Sequence, residues 1–100
     1  GILSTLYFKL KKSATCEELI RLYKDFYKGE PFVRIMEKGN FPQTRFVLRS
    51  NFCDIGIEVD RVKKLAIIMS CIDNLGKGAS SQAVQNMNIM FKFKETLCLP

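Results

Sequence analysis

Residues Leu65 to Ile72, LAIIMSCI, run for eight positions without a charge, and the apolar residues do not alternate with polar ones. A strand with one wet face alternates. This one is apolar on both sides, so it must be a central strand covered on both faces. The apolar run Leu65 to Met69 is far too short to cross a bilayer, and no membrane partner is expected. The rest of the chain has to supply the cover.

Residues Ile2 to Lys11 alternate, with Ile2, Leu6, Phe8 and Leu10 on one side and Thr5, Tyr7 and Lys9 on the other, as in a half-buried strand. Thr15 and Glu18 have the spacing of a capping box, in which each side chain satisfies a free backbone N–H. Leu19, Leu22, Tyr23, Phe26 and Tyr27 follow at helical spacing, and Gly29 supplies a left-handed stop. PFVRIM predicts a short strand behind a proline, and EKGNFPQT a loop. From Arg45 to Asp60 the pattern predicts an alternating strand, with Cys53, Ile55, Ile57 and Val59 inward and Asp54, Glu58 and Asp60 toward water or a partner. A turn at Arg61 to Lys63 leads back into the central strand. A last helix over about Ala79 to Phe91 has the apolar stripe Ala83, Val84, Met87, Met90 and Phe91. The expectation is one α+β domain over residues 1–100, a mainly antiparallel or mixed sheet with two helices on one face. A dimer partner or a further domain would cover the other face.

The 100 residues include 16 Lys and Arg against 10 Asp and Glu, a net charge of +6. Basic clusters occur at Lys9, Lys11 and Lys12 and at Lys92 and Lys94, but neither carries a base-stacking motif, and no nucleic-acid partner is expected. The four cysteines, Cys16, Cys53, Cys71 and Cys98, show no C-x-x-C spacing, and histidine is absent. No metal site is predicted, and isolated cysteines among apolar residues read as buried free thiols of a cytoplasmic protein. Cys53 stands beside Asp54, whose charge raises a thiol's pKa, the wrong direction for a nucleophile. No catalytic residue is assigned. Gly1 leads into a strand without an initiating Met, and KETLCLP reads as though it continues, so a piece of a longer protein is expected.

The stretch GKGAS invites a phosphate-loop reading and fails it. The glycine needed five residues before Gly76 is Cys71, and Gly78 stands where Ser or Thr should follow the lysine. What survives is a helix start whose backbone N–H groups, with Lys77 beside them, can face an anion or polar ligand.

SNFCDIGIEVD together with SCIDNLGKGASSQAVQNMN resembles the N-acetyl-γ-glutamyl-phosphate reductase family, in its C-terminal, semialdehyde-dehydrogenase dimerisation domain. GILSTLYFKL, GEPFVRIM and FPQTRFVLRSN fit the same region in order, so the resemblance covers nearly the whole chain. It implies the C-terminal fold of semialdehyde and glyceraldehyde-phosphate dehydrogenases. It also implies a parent enzyme that reduces N-acetyl-glutamyl phosphate to the semialdehyde with NADPH, in arginine biosynthesis. Such enzymes use a cysteine thiolate and a histidine. The family's Gly-Cys-Tyr-Pro motif and its glycine-rich nucleotide motif are absent here, so the chain by itself is expected to be inactive and unable to bind NADP. The implied contribution is a cofactor-binding turn: Asn74 near the nicotinamide carboxamide, with Lys77 and Gly78 as neighbours. Gln82, Gln85 and Asn86 are expected on a polar helix face meeting water or the nucleotide-binding domain. Ser81 replaces the family's usual glycine. The sheet is expected to carry homo-oligomerisation. The competing reading from composition is a stand-alone basic α+β module for RNA or a protein partner.

Overall fold

A computed structural model describes residues 1–100. The uncharged run forms β4 (Leu65–Ile72), and it is central as its two-sided pattern demands. On one edge it pairs antiparallel with β1 (Ile2–Lys9), Ile2 opposite Ile72 and Lys9 opposite Leu65. On the other it pairs antiparallel with β3 (Cys53–Asp60), Asp54 opposite Cys71. A three-residue β2 (Val33–Ile35) adds a parallel edge to β3, giving a mixed sheet of order β1-β4-β3-β2. The β3–β4 hairpin closes at Arg61–Lys64, with Lys64 left-handed at φ 51° and the Lys63 N–H donated to Asp60 Oδ1 at 3.1 Å. The α+β class and the mixed sheet are those predicted.

Helix α1 (Cys16–Phe26) covers one face. Thr15 caps it, its Oγ1 accepting the Glu18 N–H at 3.1 Å, and the chain then turns at Gly29, φ 84°. Cys16 and Ile20 pack on Ile55, Ile57 and Ile68, with Leu19, Tyr23 and Tyr27 around them. Each buried isoleucine contributes about 2 kcal/mol. The inward stripe is therefore rotated from the predicted one: Leu22 and Phe26 face out, Phe26 at 78% exposure. The rotation follows from Cys16, which opens the helix and donates its S–H to the Ile57 carbonyl at 3.2 Å.

The opposite face differs more from expectation. Residues Thr44–Val47 form a short helix, α2, and β3 starts only at Cys53. Arg49, between them, is left-handed at φ 57°, which an extended strand does not tolerate. Asp54 is buried, not wet. Its two carboxylate oxygens accept from Arg34 Nε at 2.6 Å and Nη2 at 3.0 Å. Gly56 lies under the preceding loop so closely that a Cβ there would stand 2.6 Å from Pro42 Cδ. The residues of β1, expected half-buried, are all exposed, because β4 is this strand's one extensive neighbour in the chain.

After β4 comes a π-helical turn, Gly76–Ser80, and then α3 (Ser81–Met90). Its orientation reverses the predicted stripe. Gln85 and Asn88 are the buried residues, at 7% and 1% exposure, while Met87, Met90 and Phe91 face out. Of the two helices expected on one face of the sheet, α1 lies there. Helix α3 is anchored instead to the π turn, to Asn51 and to the C-terminal tail.

Candidate functional site

The residues Asn74, Lys77 and Gly78 fall on one turn, between the end of β4 and the start of α3. Asp73 organises it. At 5% exposure its Oδ2 accepts the Arg49 N–H at 2.7 Å and its Oδ1 the Leu75 N–H at 3.2 Å. Its carbonyl accepts the Gly78 N–H at 2.9 Å. Gly76 is required by contact: a Cβ there would lie 2.5 Å from the Ser50 carbonyl oxygen. The π turn continues with Ser80 N–H and Oγ on the Leu75 carbonyl, at 3.2 and 2.9 Å, and with the Ser81 N–H on Gly76 O. Ser81 is half-buried where the wide turn tightens into α3.

The three predicted residues then differ in availability. Asn74 is exposed, and its carboxamide makes no hydrogen bond within the chain. The Gly78 N–H is already donated to Asp73. Lys77 is half-buried and turned inward, its Nζ donating to Gln85 Oε1 at 2.6 Å and standing 5.7 Å from the centre of the Phe32 ring. Burial pulls its pKa below the ordinary lysine value, opposed by the neighbouring Cys53 and Glu95.

Beneath the turn lies a layer of amides that sequence reasoning placed on the surface or passed over. Asn51, fully buried, donates Nδ2 to the same Gln85 Oε1 at 2.9 Å. Gln85 Nε2 donates to Glu95 Oε2 at 2.7 Å. Asn88 Nδ2 donates to the carbonyls of Glu95 and Leu97, both at 3.0 Å. Gln85, expected on a polar face toward water or another domain, is thus interior, while Gln82 and Asn86 pair with each other at 2.8 Å on the outside. Gln85 and Asn88 stand three apart, on one helix face, and that spacing was the available signal. Two oxygens, Asn51 Oδ1 and Asn88 Oδ1, have no partner.

Of the four thiols expected to be buried, Cys16 and Cys71 are, Cys53 is half-buried and Cys98 is exposed; the first three are unsuited to nucleophilic chemistry. Desolvation raises Cys16, Cys53 and Cys71 above their ordinary pKa; Asp54 raises Cys53 and Cys71 further, and Lys77 eases Cys53. Each stays a neutral thiol near neutral pH.

The sequence profile of the family described as semialdehyde dehydrogenase, dimerisation domain, matches residues 1–74. The chain is 56% identical over 99 residues to the N-acetyl-gamma-glutamyl-phosphate reductases of Geobacter metallireducens and Thermoanaerobacter pseudethanolicus, covering 99% of this chain and 29% of each relative. It is 56% identical over 95 residues to the protein of that name from Staphylococcus saprophyticus, covering 95% of this chain and 28% of the relative. The chain thus spans less than a third of the length of these relatives.

Proposed function

This chain belongs to the semialdehyde dehydrogenase dimerisation-domain family, and from that premise we propose that it serves an NADPH-dependent, cytoplasmic reductase of arginine biosynthesis. That enzyme converts N-acetyl-glutamyl phosphate to N-acetyl-glutamate semialdehyde. The observation that carries the reading is 56% identity, across 99% of the chain, to proteins named for that reductase. In this reading the chain associates subunits and presents one wall of the cofactor site. It is inactive alone, since it has no histidine and the thiols of Cys16, Cys53 and Cys71 are held neutral. The reactive thiolate, the acid/base group and the nucleotide-binding domain lie elsewhere in the protein.

The residues present fit a nicotinamide. Asn74 projects an exposed carboxamide that no neighbour uses, and a carboxamide can donate to and accept from the carboxamide of the nicotinamide at once. NADPH supplies the hydride when bound. Lys77 and Gly78 contribute by shaping the turn, the glycine through its N–H on Asp73 and the lysine through Gln85. Subunit association falls to β1, whose Leu3, Leu6 and Tyr7 are all more than half exposed. The outward apolar residues of α3, Met87, Met90 and Phe91, suit contact with the nucleotide-binding domain.

The test is Asn74→Ala in the protein at its relatives' full length. KM for NADPH should rise at least about tenfold while KM for the acyl phosphate stays put. Unchanged kinetics with NADPH would remove Asn74 from the site.

A further inference from the structure

We infer that Asp73 is the positioning residue of the cofactor-facing turn: its buried carboxylate locks the Asn74 turn to the Arg49–Ser50 loop, so that two loops distant in sequence present Asn74 as one rigid unit. The inference rests on the reading of Asn74 given above.

Three observations carry it. The carboxylate is almost completely buried and faces no cation: the chain's ion pairs are Lys24–Glu37, Arg34–Asp54 and Lys38–Glu17. Its charge is met by two backbone N–H groups, one from each loop, Arg49 at 2.7 Å and Leu75 at 3.2 Å. A buried carboxylate without these donors is untenable, so the two loops are held together by the need to solvate it. Next, Arg49 is left-handed at φ 57°, a conformation that a residue with a Cβ keeps only when its surroundings hold it there. The bond from its N–H to Asp73 is that hold. Finally, the loops meet backbone to backbone at Gly76, where even a methyl group would come within 2.5 Å of Ser50 O. A shift of Arg49 therefore moves Ser50 and is passed directly to the residue two after Asn74.

The chemistry of the donor set says which side chain can do this. Both partners are donors, so the lock needs two acceptor atoms on one short side chain. Aspartate has them. Asparagine has one acceptor oxygen and an NH₂ group that would point at an N–H. Asp73→Asn therefore has to break one of the two bonds while changing almost no volume.

The experiment uses the full-length protein, with amide hydrogen exchange beside steady-state kinetics. In Asp73→Asn at least one of the amides of Arg49 and Leu75 should exchange at least about tenfold faster, with those of β3 and β4 unchanged. KM for NADPH should rise at least about fivefold, with kcat at saturating NADPH and KM for the acyl phosphate within about twofold of the parent. If Asn74→Ala raises KM for NADPH and Asp73→Asn does not, the inference fails and the reading of Asn74 stands. If Asn74→Ala has no effect, both fail. Unchanged exchange at Arg49 and Leu75 overturns the lock by itself, without reference to activity. Should Asp73→Asn not fold, Asp73→Glu is measured in its place. It keeps two acceptors but displaces them by one methylene, so the same two amides should lose protection and KM for NADPH should rise; retention of both overturns the inference.

Discussion

Gln85→Leu isolates the amide layer under the turn, because leucine nearly matches glutamine in volume and removes every polar contact. Gln85 Oε1 takes two donors, Asn51 Nδ2 at 2.9 Å and Lys77 Nζ at 2.6 Å, and Nε2 serves Glu95 at 2.7 Å. Asn51 is fully buried and its Oδ1 already lacks a partner, so its side chain would lose its only hydrogen bond. A stranded buried amide costs about 2 kcal/mol. Lys77 and Glu95 are half-buried and can turn to water, adding about 1 kcal/mol between them. The more apolar leucine returns about 1 kcal/mol. The net loss is about 2 kcal/mol, which lowers a urea midpoint by about 1–2 M. The decisive arm is the double variant Asn51→Leu/Gln85→Leu, which removes the stranded amide altogether. It should fall short of the sum of the single losses by about 1 kcal/mol or more. Additivity within about 0.5 kcal/mol would refute the coupling of Asn51 to Gln85.

Two further expectations come from the opposite face of the sheet and from the thiols. Arg34→Met should cost about 3–5 kcal/mol in urea unfolding, since it leaves the buried Asp54 carboxylate without its two-point partner; a loss under about 1 kcal/mol would mean that Asp54 finds water instead. Cys16, Cys53 and Cys71 have folded-state pKa values raised above the ordinary 9.0, so their contribution is fully present below about pH 9 and is lost as pH rises through the folded values. Tyr23 and Lys38 are raised as well and add to the loss at higher pH, while Lys77, lowered from 10.5, works the other way as one group against five, so the urea midpoint should fall above pH 9, and a flat or rising midpoint would refute it.

What could be read from the chain was what local pattern controls. The two-sided run Leu65 to Ile72 had to be central, and the Thr15 cap placed the start of α1. The facing of α1 was misjudged by a rotation, because tyrosine, phenylalanine and leucine look alike by hydropathy and the deciding contact, Cys16 to Ile57, spans 41 residues. The Arg45–Asn51 segment alternates well enough for a strand. It is prevented from being one by the bond from Arg49 to Asp73, made 24 positions later in the chain. Asn74, Lys77 and Gly78 do fall together on one turn, as their closeness in sequence requires, but the residues that hold that turn were not legible. Asp73, Asn51 and Gln85 are polar side chains made interior by partners, and one sequence lists side chains without saying who their partners are.

The inverted helix α3 follows from how the turn is held. An apolar contact is strong but non-directional: Met87 and Met90 facing inward would bind the helix to its support and still let it rotate or slide. A carboxamide is directional. Gln85 can satisfy Asn51, Lys77 and Glu95 only in one orientation, with its oxygen toward the first two and its nitrogen toward the third. Asn88 adds a second fixed point three residues along, on two tail carbonyls. Two such points set both the rotation of α3 about its axis and its height, and therefore the position of the π turn that joins it to Asn74. The amide oxygens of Asn51 and Asn88 take no part in fixing that register, since neither accepts a hydrogen bond from the chain. With the amides inside, the apolar stripe has no place but the surface, where it is available to whatever the protein sets against it. Polar interior and apolar exterior are thus one choice, made at Gln85 and Asn88, and a helix with Gln85 and Asn88 both replaced by leucine should lose the register before it loses its helical content.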